Sequence, residues 1–377
     1  MARRKPARLA EILGLLNRLC PPELAEDWDN PGLQVGSPDA QIERILICLD
    51  AEEPALEEAL RKQAQLIISH PPLIFKPLKR LTPTDMSGRV LFRAVREGIA
   101  IACAHTNLDR AADGLNDWLA ERLGLEGATP LEAPQAGRFY KLVVFVPCGH
   151  EQAVMEGLFA GGAGQIGAYE RCSFRTRGTG SFRGGDQTSP FIGTPGAFEE
   201  TEESRLETIV PEARLNRTIE RMLKAHPYEE VAYDLIPLAN RRSDIGLGRV
   251  GRLAQPQTLQ QFAEDVRDRL HAGSLRLVGD PQQLVQKVAV CGGSGMAVFA
   301  DALRQGADCL VTGDVKFHDA QRARAEGMAL IDAGHFASEQ LMVPGLSRRL
   351  RQLLDESGLT VEVIEMAAEQ DPFVPLA

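Results

Sequence analysis

Short apolar runs recur along this chain, and each is followed by a polar cluster and then by a stretch with helical periodicity. The runs lie at 45–49, 66–68 and 99–103 in the first half, and at 285–290, 309–311 and 328–331 in the second half. Strands that are apolar throughout are typical of mainly parallel sheets covered by helices on both faces. The pattern therefore predicts an α/β fold with a doubly wound, mainly parallel sheet.

The middle of the chain interrupts this alternation. Residues 132–137 have no periodicity and are typical of a linker. The order that follows is strand, helix, glycine-rich strands, strand, helix and strand, which predicts a small α+β insert of the ferredoxin-like kind. We therefore predict a split domain, in which residues 1–135 and 241–377 form the two halves of one α/β domain and residues 139–240 form the insert.

The composition argues against several classes of protein. A net charge of -10 argues against a nucleic-acid surface spread over the whole protein. No apolar run approaches the roughly 20 residues of a membrane helix, and the basic start leads into an amphipathic helix and not into a signal core. Seven cysteines without a CxxC pair indicate a reducing compartment. We expect a cytoplasmic protein with neither membrane nor nucleic acid as a partner.

Histidines and carboxylates follow several predicted strands at their carboxyl ends, where open α/β sheets bind ligands. His335 and Glu339 are four residues apart, so a helix would place both side chains on one face. The full set is His70, His105, Asp109, His335 and Glu339. Imidazole and carboxylate ligands suit Zn²⁺, Mn²⁺ or Fe²⁺, and carboxylates can bridge two metals. The set predicts a divalent-metal site, although each histidine taken singly is better explained as an ordinary surface-loop residue.

Long, ordered motifs of this chain resemble the Nif-three-like family, whose members are known as GTP cyclohydrolase I type 2 homologues. They are ISHPPLIFKPLKRL (68–81), AHTNLDRAADGLND (104–117), GDVKFHDAQ (313–321) and IDAGHFASEQ (331–340). WDNPGLQVG near the start and CGGSG in the second half extend the resemblance over essentially the whole chain. The predicted insert is similar to the PII/CutA-like insert of the longer bacterial members.

The resemblance implies a dinuclear metal site in a cleft and a homohexameric toroid built from trimers. The five strand-end residues match family metal ligands, and the family position of His318 implies a catalytic proton carrier near the metals, with a solvent-exposed helix residue as the alternative. Bacterial members usually have two consecutive histidines in the first motif, whereas the second position here is Pro71. A proline side chain cannot bind a metal, so either another group replaces this ligand or the site is mononuclear.

Two functions are compatible with this pattern. The first is a metal-dependent hydrolase of a small-molecule or nucleotide substrate, either a cyclohydrolase acting on C–N bonds, as the family name implies, or a phosphoesterase. The second is a non-enzymatic, metal-bearing oligomeric scaffold or regulatory protein. In both, we expect one or two Zn, Mn or Fe ions per subunit.

Gly292–Gly295 could bind an anion, but the motif matches neither the Walker loop nor GxGxxG, which favours a tight turn. We interpret His226 in the insert as structural.

Overall fold

The computed structural model describes residues 7–132, 139–167, 169–240, 244–367 and 369–374. The chain divides into two compact units. Met1–Pro134 and Ser243–Ala377 form the first unit, and Gln135–Arg242 form the second. The predicted insert, 139–240, falls within the second unit. Among the described residues, no helix has both the length and the apolar character needed to span a bilayer.

The segment before the insert contains seven strands and five α-helices within its described residues. The strands are β1 (Ala7–Arg8), β2 (Gly32–Val35), β3 (Gln41–Ile42), β4 (Arg44–Ile47), β5 (Leu66–Ser69), β6 (Ala100–Cys103) and β7 (Glu126–Pro130). The helices are α1 (Leu9–Leu19), α2 (Glu53–Lys62), α3 (Met86–Glu97), α4 (Thr106–Arg110) and α5 (Leu115–Arg122).

The insert and the segment after it supply the remaining elements of the described chain. The insert contains β8 (Phe139–Pro147), α6 (Glu151–Gly161), β9 (Ser173–Arg183), β10 (Phe198–Pro211), α7 (Leu215–Ala225) and β11 (Tyr233–Leu238). The later strands are β12 (Arg249–Thr258), β13 (Arg276–Val278), β14 (Leu284–Val290), β15 (Cys309–Thr312), β16 (Ala329–Asp332) and β17 (Glu362–Glu365). The later helices are α8 (Leu259–Leu270), α9 (Phe299–Arg304), α10 (Phe317–Glu326), α11 (His335–Glu339) and α12 (Met342–Glu356).

The first unit contains two large sheets and a small pair of strands, β1 and β3. One sheet has the order β17-β4-β5-β6-β2, with four parallel strands and an antiparallel edge. The other has the order β13-β16-β15-β14-β12-β7, with three central parallel strands. The prediction of one doubly wound sheet is therefore wrong in this respect. Apolar runs show that a strand is buried on both faces, but they do not show which strands pair.

Side chains alternate across both sheets, as the pleat requires. In β14, Val288 and Val290 face one core cluster with α8, whereas Ala289 faces another with α9. Leu46 and Ile67 in the five-stranded sheet pack against α2 and α3. Strands from the two segments that flank the insert also pair with each other: β7 pairs with β12, and β17 pairs with β4. These pairings make residues on either side of the insert a single folded unit.

The second unit is an antiparallel four-stranded sheet with the order β11-β8-β10-β9, accompanied by α6 and α7. The chain order is strand, helix, strand, strand, helix and strand, which is the α+β arrangement that the sequence predicts. Leu142, Val144 and Val146 of β8 face the core of this unit, where they meet Val154 and Leu158 of α6.

Candidate metal centre

The carboxyl ends of parallel strands from both sheets of the first unit meet at one place. His70 directly follows β5, and His105 follows β6 and caps the start of α4, which carries Asp109. His335 and Glu339 are the first and last residues of α11, which follows β16. The sequence predicts these groups on the edge of a single sheet, whereas they follow strands of two different sheets.

His70 is the most buried of the predicted ligands, with no exposed surface. Its Nε2 atom lies 3.3 Å from Oδ1 of Asp109 and 3.8 Å from Oε1 of Glu339. Nε2 of His70 and Oδ1 of Asp109 are both buried and have no hydrogen-bond partner. Burying polar atoms without partners is costly, so two such atoms facing each other indicate a place where a cation fits.

All three histidines bond to an oxygen acceptor through Nδ1. Nδ1 donates to the carbonyl oxygen of Ala104 in His70 (2.8 Å), to Asp29 in His105 (2.8 Å) and to Asp314 in His335 (2.7 Å). Because these oxygens can only accept, the proton of each neutral imidazole lies on Nδ1 and Nε2 keeps its lone pair. Metal-ligating histidines are oriented in this way by an outer carboxylate or carbonyl.

His105 and His335 complete the cluster. The ring centroids of His105 and His70 are 5.2 Å apart, and Nε2 of His335 lies 3.0 Å from Oε2 of Glu339. The structure thus brings all five predicted ligands together. Asp29 and Asp314 were not singled out from the sequence, although each lies within a motif that carries the family resemblance, WDNPGLQVG and GDVKFHDAQ.

Neighbouring charges in the cluster strongly shift the pKa values of His70, His335 and Glu339. Burial lowers the pKa of His70, but Asp109 and Glu339 more than offset this effect and hold the pKa well above its usual value. The hydrogen bond to Glu339 raises the pKa of His335 to about 9, against the effect of burial. Burial raises the pKa of Glu339, but the neighbouring imidazoles outweigh it and hold this pKa well below the usual range. These shifts favour positive charge beside the carboxylates, which is the charge that a metal ion would supply.

No three His, Cys, Asp or Glu side chains in the described part of the chain are arranged as a ready-made metal site. The carboxylates instead contact the imidazoles directly, because opposite charges attract across these short distances. The donor set still fits a divalent ion, because an incoming metal would displace any Nε2 protons and leave three imidazole nitrogens and two carboxylates as ligands. Nε2 of His70 and Oδ1 of Asp109 have no hydrogen-bond partner.

Gly292, Gly293 and Gly295 of the turn after β14 each donate their N–H group to a neighbouring side chain. The N–H of Gly292 donates to Asn116 (2.9 Å) and that of Gly293 to Ser338 (3.0 Å). The N–H of Gly295 donates to Thr312 (2.8 Å). Because these donors have partners, the tight-turn interpretation fits better than the anion site. Asn116 also donates to the carbonyl oxygen of Asp109 (3.0 Å), which links the turn to the candidate ligands.

Two further histidines lie apart from the cluster. His318 is exposed on α10, where it contacts Gln321 and Phe317. Within the described residues, no hydrogen bond or ion pair joins His318 to a predicted ligand, so the structure does not bring it to the site. His226 is buried in the insert; its Nε2 donates to the carbonyl oxygen of Phe145 and its Nδ1 accepts from the N–H of Tyr228. Both nitrogens are therefore used in local structure.

A cavity of about 970 Å³ opens beside His335 and Glu339. Asp50, Pro71 and Glu369 also line it. Its volume lies at the upper end of the 300–1,000 Å³ that small-molecule pockets usually have. Pro71 therefore faces the cleft at the position where bacterial members of the resembling family usually have a second histidine.

The family of the chain follows from comparison with known proteins. A family model described as Duf34/NIF3 (NGG1p interacting factor 3) matches residues 7–372. The chain belongs to this family. A relative in Halalkalibacterium halodurans, named "GTP cyclohydrolase 1 type 2 homolog", is 41% identical over 96% of this chain and 97% of its own length. A Bacillus subtilis relative of the same name is 39% identical over 96% of this chain and 97% of its own length.

Solved structures of the NIF3 group share the fold. A Bacillus cereus protein related to NIF3 superposes with a TM-score of 0.90 at 39% identity, covering 99% of this chain and 100% of its own. A Staphylococcus aureus protein gives a TM-score of 0.80 at 31% identity, covering 98% of this chain and 99% of its own. The arrangement of strands and helices is therefore that of the NIF3 fold along essentially the whole chain.

Gly293 offers a way to disturb the cluster of this NIF3-family chain without removing a ligand. A Cβ atom at Gly293 would lie 2.1 Å from Oε1 of Glu339, and the φ of +59° disfavours any side chain. We expect Gly293→Ala to displace the Glu339 carboxylate and to weaken Zn²⁺ binding at least about tenfold. Calorimetric titration with Zn²⁺ measures this effect. Gly306→Ala is the control, since its φ is also positive and its Cβ would meet open space; an unchanged affinity in Gly293→Ala would contradict the expectation.

Glu369 makes stability depend on pH. Its carboxylate accepts hydrogen bonds from the N–H groups of Leu49 (2.6 Å) and Asp50 (3.2 Å). Burial and, to a lesser degree, the neighbouring carboxylates nevertheless raise the pKa of Glu369 to about 7. A carboxyl group whose pKa is raised on folding contributes stability at low pH, and this contribution is lost as the pH rises through its folded pKa. We therefore expect stability to fall between about pH 4.5 and pH 7.

Glu369→Gln tests this dependence because glutamine can accept the same hydrogen bonds without charge. At pH 8 we expect the variant to be more stable than the wild type by about 1 kcal/mol, or roughly 2 °C in Tm. At pH 4.5 the difference should shrink towards zero. Glu362→Gln, which removes one partner of an exposed ion pair with Arg44, is the control and should change little at either pH. A Glu369→Gln variant that is not more stable at pH 8 would contradict the assignment.

Proposed function

We propose that this chain is a divalent-metal-binding, metal-dependent hydrolase of the GTP cyclohydrolase 1 type 2 homologue kind. The observation that carries the proposal is the common orientation of His70, His105 and His335, each of which donates outward through Nδ1. In His70 and His335 the Nε2 atom also faces a carboxylate. His70, His105, Asp109, His335 and Glu339 would hold one or two Zn, Mn or Fe ions. A bound divalent ion lowers the pKa of water towards about 7 and polarises the bond to be cleaved.

The residues of the chain prepare the site in several ways. Asp29 fixes His105, and burial, which raises the pKa of Asp29, is outweighed by hydrogen bonds from His105 and Thr106 that hold this pKa at about 2. Asp29 therefore stays ionised and keeps the Nδ1 proton of His105 in place. Asp314 likewise accepts a hydrogen bond from Nδ1 of His335 and so fixes the orientation of that ring. His70 and Glu339 are buried, which limits the access of water to this part of the cluster.

Two exposed aromatic rings, Trp28 and Phe75, lie beside the cluster and favour a substrate with a planar ring. Trp28 is 56% exposed, and its ring centroid lies 5.9 Å from that of His105. Phe75, itself 47% exposed, lies 5.6 Å from Trp28 and 6.2 Å from His105. Exposed aromatic rings next to a reactive centre offer a stacking surface for a base or another flat group. A nucleotide is compatible with this arrangement, and so is any other ring-bearing ester or amide.

The second function that we keep is a non-enzymatic, metal-bearing scaffold, which Pro71 favours because it removes one candidate ligand. In either case we propose a homohexamer built from trimers and a PII/CutA-like insert, as the family resemblance implies. Light scattering after size exclusion tests the assembly and should give six times the mass of one chain. We further propose that His318 acts as a proton carrier in the reaction. This role requires that oligomer assembly or substrate binding brings α10 close to the metal site.

Turnover with defined metals separates the two functions. Metal-depleted protein is reconstituted with Zn²⁺, Mn²⁺ or Fe²⁺ and assayed for formate release from GTP and for hydrolysis of aryl phosphate esters and amides. Metal-dependent turnover that Asp109→Asn abolishes would support the hydrolase. Metal binding without turnover on any substrate would favour the scaffold. Failure to bind any of the three metals would contradict both.

A further inference from the structure

A second cavity, of about 420 Å³, lies within the insert. It is bounded by the end of β9, the loop at 184–192 and the segment at 228–232. Its volume falls in the lower part of the 300–1,000 Å³ range of small-molecule pockets. None of the candidate metal ligands lines it, so any ligand bound here would be separate from the metal cluster.

Three aromatic rings form walls of this cavity. The ring centroids of Phe182 and Phe191 lie 6.4 Å and 6.2 Å from that of Tyr228, with interplanar angles of 54° and 48°. Rings tilted in this way do not stack on one another, and all three residues line the cavity. The faces of aromatic rings carry partial negative charge and attract cations within about 6 Å of the centroid.

A carboxylate lies at the same place. Oε1 of Glu203 accepts a hydrogen bond from the hydroxyl of Tyr228 (2.9 Å), which fixes the side chain against the aromatic wall. Oε2 of Glu203 lies over Gly180, where a Cβ atom would be only 2.2 Å away. A glycine at position 180 is therefore what allows the Glu203 carboxylate to reach the cavity across the β9–β10 pair.

The other charged groups of the lining keep the cavity negative. Glu229 and Glu230 also line it, and Oε1 of Glu229 accepts from the N–H of Ser189 (3.0 Å). The one cationic side chain among the lining residues is Arg183, whose Nε donates to the carbonyl oxygen of Gly196 (2.8 Å). Three carboxylates and one guanidinium leave a formal charge of about -2, which favours a cationic ligand over a neutral or anionic one.

We propose that this cavity binds a small organic cation with a substituted ammonium group. The ammonium group sits between the rings of Phe182, Phe191 and Tyr228 and faces the carboxylate of Glu203. Aromatic cages with a nearby carboxylate recognise such groups because the rings and the carboxylate attract the charge while the alkyl substituents pack against the apolar walls. The proposal is independent of the metal cluster and of the reaction proposed for it.

Choline and its neutral isostere 3,3-dimethylbutan-1-ol test the proposal on the full chain. The two have nearly the same shape, so a difference in affinity measures the contribution of the charge. We expect choline to bind with a Kd of about 1 mM or tighter, and the neutral alcohol at least about tenfold more weakly. Calorimetry or ligand-observed NMR reports both. Equal binding of the two compounds, or no binding of choline at about 20 mM, would overturn the proposal.

Two variants locate the binding. Phe191→Leu and Glu203→Gln should each weaken choline binding about tenfold, and neither change threatens folding, because Phe191 is 53% exposed and glutamine can still accept from Tyr228. Phe198→Leu is the matched control: Phe198 is 67% exposed on β10 and does not line the cavity. Choline binding that both cavity variants leave unchanged would place the ligand elsewhere and would contradict the proposal.

Discussion

Glu339→Gln is expected to reduce the affinity of the protein for Zn²⁺ by at least about 100-fold. Changing a group that merely orients a metal ligand already costs 10- to 100-fold, and Glu339 is itself a candidate ligand that faces two imidazoles. Glutamine keeps the shape and the acceptor oxygen but removes the negative charge. The affinity is measured by calorimetric titration of metal-depleted protein.

The control for this variant removes the same charge from the same cleft. Asp371 lines the cavity beside Glu339 and accepts a hydrogen bond from the N–H of Phe373 (2.9 Å), but it is not a predicted ligand. Asp371→Asn should change the affinity less than about threefold, since a general field effect across a solvated cleft is small. If the two variants bind Zn²⁺ equally well, Glu339 is not a ligand.

Arg249→Leu is expected to lower the free energy of unfolding by about 3–5 kcal/mol. Arg249 is buried at the start of β12, where its guanidinium forms a bidentate pair with Asp117 at 2.6 Å and 2.7 Å. It also donates to the carbonyl oxygens of Gly246, Gly248 and Ala111. Leucine would leave these oxygens without donors and Asp117 without its counter-charge. Asp117 and Ala111 precede the insert, whereas Arg249 follows it, so the network joins the two segments of the first unit.

Thermal unfolding measures this loss, which corresponds to a fall in Tm of roughly 10 °C. Arg252→Leu, an exposed position on the same strand, is the matched control and should change Tm by less than about 2 °C. Arg249→Lys should fall between the two, because lysine keeps the charge but not the bidentate geometry. An Arg249→Leu variant that melts within about 2 °C of the wild type would show that the network adds little to stability.

The central strands were predictable because their signal is local. β4, β5, β6, β15 and β16 are short runs whose residues are nearly all buried, so hydrophobicity alone identifies them. β7 was not predictable in this way, since Glu126–Pro130 is largely exposed and lies at a sheet edge. The partition into two sheets depends on the pairing of β17 with β4 and of β7 with β12, which are long-range choices that no local pattern encodes.

Some residues of the candidate site were likewise predictable from local sequence patterns, and others were not. His70, His105, Asp109, His335 and Glu339 could be found from the sequence because strand ends and the i,i+4 spacing place them. The outward hydrogen bonds to Asp29 and Asp314 could not, since they join residues 76 and 21 positions apart through side-chain orientation. The aromatic cavity in the insert was also not predictable from the sequence. Phe182 and Glu203 meet through the pairing of β9 with β10, Phe191 lies in the loop between these strands, and Tyr228 comes from the segment between α7 and β11.

The candidate metal centre is tested most directly by its metal content. Mass spectrometry of protein purified without chelator gives the number of metal ions per chain for the wild type and for Pro71→His. We predict at least one Zn, Mn or Fe ion per wild-type chain. A wild-type value near one that rises towards two in Pro71→His would mean that Pro71 costs one metal position, and two in both would mean that another group replaces the missing histidine. No bound metal in either protein, even after reconstitution, would contradict the metal centre.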